Sequence, residues 1–118
     1  MSKTPNPPSH HARLADILLL LETEMRREGL WEFKAPSDKA LSSVIPFAHD
    51  TLEFTQWLQW IFIPKNIEIL ESGKPLPGAS DIAPLAEYRF EEMKENTGQM
   101  LALIKQFDEL IQEISEAP

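Results

Sequence analysis

Apolar residues recur at helical spacing along most of this chain. Leu14, Ile17, Leu18, Leu21 and Met25 fall on one stripe, the pattern of an amphipathic helix. Ser9 precedes it as an N-cap. Arg26 and Arg27 place cations in its last turn, Gly29 is the stop, and Leu30 is positioned to fold back on it. Leu19 and Leu20 widen the stripe, which predicts contact with more than one neighbour. Residues 30–50 lose the period. Pro36 and Pro46 break them, and Ser37 is placed to cap a short turn through Ala40 and Leu41. A loop with one helical turn is expected there, pinned to the core by Trp31, Phe33 and Phe47.

A second helix is expected to start at Asp50 or Thr51, either of which can cap. At about 100° per residue, Phe54, Trp57, Leu58, Trp60, Ile61 and Phe62 spread over roughly 200° of its circumference. A surface helix is apolar on a narrower arc, so this one is expected at the centre of the fold. Pro64 cannot donate to the Trp60 carbonyl and its ring crowds it, so the helix must kink or restart there. Ile67 and Leu70 extend the stripe to Gly73, and Lys74-Pro75-Leu76-Pro77-Gly78 is a stiff turn. A third long stretch begins at Pro84, with Leu85, Tyr88 and Phe90 inward. Asn96-Thr97-Gly98 is a break. Met100, Leu103, Ile104, Phe107, Leu110, Ile111 and Ile114 then form a nearly coiled-coil seam, with Lys105, Asp108, Glu109, Gln112 and Glu113 on the other face. No stretch alternates like a strand. The pattern predicts an all-α fold, a compact bundle of four to five helices with its central aromatic helix kinked or broken at Pro64. Residues 1–8 read as a disordered N-terminal tail and residues 9–118 as a single helical-bundle domain.

Composition narrows the function. The 118 residues include no cysteine and only four glycines. Disulfide scaffolds and thiolate chemistry are excluded, and a reducing cytosol is favoured. The N-terminus, broken early by Pro5, Pro7 and Pro8, lacks the layout of a signal peptide. The net charge is −8, divided −2 over residues 1–59 and −6 over residues 60–118. Such a surface repels nucleic-acid phosphates, so direct nucleic-acid binding is not expected, nor is a membrane span. The charge suits a basic protein partner, although acidic solubility alone explains it.

Candidate chemistry is sparse. His49-Asp50 is a histidine–acid neighbour, but Asp50 reads better as a helix cap and His49 as a loop residue. His10-His11 lacks accompanying ligand spacing. Glu91, Glu92 and Glu95 lack the loop and glycine turn of a cation site. No phosphate loop or serine elbow is present. No catalytic residue, cofactor or metal is therefore expected. Trp57 and Trp60, about 60° apart ahead of Pro64, read first as core packing and second as a groove wall.

Pro46-Phe47, Asp50-Thr51, Trp57-Leu58-Gln59-Trp60, Ile63-Pro64-Lys65, Pro75-Leu76-Pro77-Gly78 and Ala83-Pro84 stand in an order that resembles the YqcC-like family of bacterial proteins, with Trp31 ahead of them. Lys65 stands where that family often has arginine, which keeps the charge and loses the guanidinium fork. The resemblance implies an all-α bundle and supplies no catalytic residue to carry over. Family members in gamma-proteobacteria are often encoded beside a tRNA pseudouridine synthase, which implies a link to RNA modification. The expectation is a non-catalytic interaction or accessory module with a protein partner such as an RNA-modifying enzyme. Its surface is expected at Asp50, Gln59, Lys65 and residues 75–78. The alternative is a small apolar-ligand binder with a pocket between Trp57–Pro64 and the 75–78 turn. Together these readings make Asp50, Trp57, Gln59, Trp60, Pro64, Lys65, Pro75, Leu76, Pro77 and Gly78 the candidate surface. Residues 100–114 are a candidate seam for self-association.

Overall fold

The computed structural model describes residues 9–116, so the tail expected at residues 1–8 lies outside the described residues. Helix α1 spans His10–Arg27, with the Ser9 hydroxyl accepting from the Ala12 N–H at 3.1 Å. Its buried residues are the five of the stripe. Gly29 ends it in the left-handed region at φ 73°, and the Leu30 N–H returns to the Met25 carbonyl at 2.8 Å. This is the closure that a C′ glycine permits. α1 contacts more than one neighbour, as expected, for it packs on both the C-terminal helix and the second half of the central helix. The five-residue stripe makes these contacts, and Leu19 and Leu20, expected to widen it, are exposed.

A short α2, Asp38–Leu41, follows with Ser37 as its cap, accepting from the Ala40 N–H at 3.1 Å. The loop then turns through Pro46–Ala48, where Phe47 and Ala48 take positive φ of 59° and 48°. Two successive non-glycine residues there carry strain of about 1–2 kcal/mol each. Burial of Ala48 and the edge-on packing of Phe47 against Trp57, with ring centroids 4.8 Å apart, hold them in place. Trp31 and Phe47 do pack against the core. Phe33 does not, being 92 % exposed.

The central helix α3 starts later than expected, at Phe54 rather than beside Asp50 or Thr51. Those two side chains tie the loop instead. Asp50 accepts from the Ser43 hydroxyl at 2.6 Å, and the Thr51 hydroxyl donates to the Ala40 carbonyl at 2.7 Å. α3 runs as α-helix over Phe54–Trp57, as π-helix over Leu58–Phe62 and as α-helix again over Ile63–Ser72. The Ile63 N–H reaches back five residues to the Leu58 carbonyl. This wider turn is the form that the Pro64 break takes. The extra residue absorbs the crowding upstream, and Pro64 sits in the first turn of the resumed α-helix, where its missing N–H costs least. Gly73 closes α3 at φ 71°.

Helix α4 is Ala83–Phe90 and α5 is Gly98–Glu116. Asp108 lies off the apolar seam of α5, as expected, and is engaged there by another element. Its carboxylate accepts from the Ser80 hydroxyl at 2.6 Å and from the N–H groups of Ile82 and Ala83 at 3.1 and 2.8 Å. It thereby caps α4 from a different helix. Capped in this way, α4 turns Ala86 and Phe90 inward and leaves Tyr88 exposed, contrary to expectation. Met100, Leu103, Ile104, Phe107, Leu110 and Ile111 of α5 join α1, α3 and α4 in one core. The seam considered for self-association is thus used within the chain. The architecture is all-α, with no strand among the described residues and no helix among them long and apolar enough to cross a membrane.

The Asp108 cap gives a direct test. Asp108→Ala leaves three donors unpaired and should destabilise the fold by about 1–3 kcal/mol. Urea unfolding measures this, and an unchanged midpoint would show that the tertiary cap carries no stability.

Candidate functional site

α3 presents two glutamines among the aromatic and aliphatic residues of its first half, and both point to one residue of the preceding loop. Gln59 is 3 % exposed. Its side-chain carbonyl accepts from the Glu32 N–H at 2.8 Å, and its amide nitrogen donates to the Glu32 carbonyl at 2.7 Å. The side-chain amide pairs with the backbone of Glu32 as a neighbouring strand would. The Glu32 carboxylate accepts from the Gln56 amide at 3.2 and 3.3 Å and from the Trp60 indole N–H at 3.2 Å. Gln56 also accepts the Glu53 N–H at 2.8 Å, which satisfies a free donor at the start of α3. Backbone and side chain of Glu32 are therefore both held by α3.

Sequence reading missed Glu32 and gave Gln56 no role. The signal was present in the composition of α3. Glutamines three residues apart inside an apolar arc must find partners if the helix is buried, and the loop that holds Trp31 and Phe33 is expected to be pinned to the core. Gln59, counted as a surface residue, is instead a buried tie beneath the surface.

The two tryptophans take different sides of α3. Trp57 is half-buried among Phe47, Phe54 and Phe62, its ring centroid 5.8 Å from that of Phe54 and 5.2 Å from that of Phe62. It borders a groove of about 420 Å³ that also meets Ile61, Lys65, Asn66 and Pro77. Trp60, also half-buried, lines a larger groove of about 590 Å³ with Trp31, Phe33, Pro64 and Ile67. Arg26 lies over the Trp31 ring at 4.8 Å, a cation–π contact that holds the loop end against α1. The candidate residues thus divide. Trp57, Lys65 and Pro77 lie at one groove, and Gln59, Trp60 and Pro64 at the other. Pro75 and Gly78 are exposed, Leu76 packs partly against the core, and Asp50 faces Ser43.

Elsewhere the polar candidates stay dispersed. His49 is exposed, as are Glu91 and Glu92, and His10 sits 3.9 Å from Glu113 at the start of α1. Among the described residues no three histidine, aspartate or glutamate side chains gather into a metal-binding group.

Comparison with known proteins gives the chain its family. An uncharacterized protein of Haemophilus influenzae is 37% identical over 90 residues, covering 76% of this chain and 84% of that protein. The uncharacterized protein YqcC of Escherichia coli K12 is 33% identical over 100 residues, covering 85% and 92%. The solution NMR structure of E. coli YqcC matches with a TM-score of 0.81 at 29% identity, over 94% of this chain and 95% of that one. A tRNA pseudouridine synthase C of Pectobacterium carotovorum is 32% identical over 69 residues, which are 58% of this chain and 18% of that protein. The chain belongs to the YqcC-like family, whose model, described as DUF446, tRNA pseudouridine synthase C, matches residues 13–110.

Gln59→Leu should cost about 1–3 kcal/mol by stranding the Glu32 backbone groups. It should also speed hydrogen exchange at the Glu32 amide far more than at the Leu18 amide in the middle of α1. Equal protection of Glu32 in the wild type and the variant would contradict the tie.

Proposed function

Starting from membership of this family, we propose that the protein is a non-catalytic accessory module that docks on a tRNA pseudouridine synthase. The observation that carries this reading is the 69-residue match within a protein named tRNA pseudouridine synthase C, of which the matched stretch is only 18%. A segment similar to this one accompanies a much longer chain there.

The charge supports docking on protein rather than on RNA. A net charge of −8 opposes phosphate binding, and it complements the basic surface that an enzyme acting on tRNA needs. The internal polar groups support a non-catalytic role. Gln59 and Asp108 are engaged with backbone groups, the Glu32 carboxylate is held by Gln56 and Trp60, and Asp50 ties its own loop through Ser43. The absence of cysteine agrees with action in the cytosol.

The groove beside Trp57 favours a second reading, a small apolar ligand. Its volume of about 420 Å³ and its aromatic lining, with Lys65 and Asn66 as polar contacts, fall within the usual range of ligand sites.

Biolayer interferometry against the pseudouridine synthase of the same organism tests the first reading. Binding in the micromolar range or tighter, roughly 8 kcal/mol, should weaken as salt rises. No binding at about ten times that concentration would remove it. Native mass spectrometry of freshly purified protein tests the second, which expects a retained apolar adduct that Ile61→Trp displaces. Bare protein that also gives no Trp57 fluorescence response to fatty acids and sterols would eliminate it.

A further inference from the structure

The larger groove continues beyond Trp60. A second hollow of about 250 Å³ adjoins it along α1, and the two share Ile63 and Ile67. Together they form a trough between α1 and the second half of α3. From Trp60 to Glu71 it is about 16 Å long, three helical turns. Three apolar side chains stand open along it: Leu19 at 64 %, Phe33 at 92 %, and Ile67. An aligned set of this kind marks an interaction surface rather than scattered exposure.

The rim is acidic. Glu22 and Glu71 border both hollows, and Glu32 and Glu68 border the larger. No lysine or arginine among the described residues lines either hollow. Arg26 pairs with Glu22 at 2.9 Å and Lys74 with Glu68 at 3.3 Å. No ion pair among the described residues engages Glu71 or Glu32, so the rim keeps an excess of carboxylate. The other large grooves differ, for Lys65 lines the one beside Trp57 and Arg89 the one at the end of α4.

We infer that this trough is the docking site for a basic amphipathic helix of the partner. The inference rests on the docking reading above and gives it a place. Leucine-like anchors at i, i+3 or i+4, and i+7 would meet Phe33, Ile67 and Leu19 in turn. Lysine or arginine on the flanks would face Glu71 and Glu32. Trp60 forms the end wall, and its indole is already oriented by Glu32, so the wall is set before the partner arrives.

The test uses the full chain, labelled with ¹⁵N, and a designed leucine–lysine helical peptide of about 14 residues, with a leucine–glutamate peptide as control. The lysine peptide should shift the amides of Leu19, Phe33 and Ile67, and the glutamate peptide should not. The Phe33→Ser/Ile67→Glu double variant should lose this response and bind the synthase about tenfold or more weakly. Val44→Ser, at a residue 94 % exposed outside both hollows, should change neither. Circular dichroism confirms that the variants fold. If the double variant binds the synthase as well as wild type does, the trough is overturned and the docking reading stands. If the lysine peptide occupies the trough but the synthase does not bind, the trough stands and that reading falls. If neither binds, both fall. A dimer in sedimentation that the double variant dissolves overturns the inference in favour of a second copy of the chain.

Discussion

The buried amide of Gln59 is the constraint on which much of this molecule depends. A glutamine at the centre of an aromatic helix is costly to bury unless both ends of its amide are matched. The backbone of Glu32 matches both, at 2.8 and 2.7 Å. That pairing brings the 30–33 segment onto α3 and so fixes where the Glu32 carboxylate sits. The carboxylate in turn orients Trp60 and takes the Gln56 amide. One loop residue thereby links α1, through the Gly29 turn, to the central helix.

The π-helical turn over Leu58–Phe62 belongs to the same design. Inserting one residue offsets the faces before and after it by about 100°. Gln59 and Phe62 can then both be buried while Pro64 and Lys65 face outward. Trp57 and Trp60 consequently border separate grooves, one toward the 75–78 turn and one toward α1. The acidic trough follows from this division. It exists because Phe33 is carried outward by a backbone pinned at Glu32, and because Leu19 is surplus to the stripe that α1 buries.

The sequence disclosed what depends on local pattern. The α1 stripe, the Ser9 and Ser37 caps, the Gly29 and Gly73 stops and the α5 seam each arise from residues within a few positions of one another, and each is found as expected. Relations across the chain were hidden. Asp108 reads only as a residue off the α5 seam until α4 is placed beside it, and Glu32 reads as a loop acid until Gln59 is buried against it. The start of α3 was misjudged because Asp50 and Thr51 are good caps that the loop uses to close on Ser43 and Ala40. Of the candidate surface, the stretch was legible and its division into two grooves was not. That division depends on the extra residue in the π turn.

Docking in the trough requires that Glu32 and the aromatic helix act as one unit, since Trp60 and Phe33 stand where they do only if they are coupled. A double-mutant cycle of Glu32→Ala and Trp60→Phe, read by urea unfolding, measures that coupling most directly. An interaction energy of about 1 kcal/mol or more is expected for a hydrogen bond to a charged acceptor away from full solvent. A coupling indistinguishable from zero would mean that the indole and the carboxylate are merely adjacent. The pinned wall of the trough would then have no physical basis.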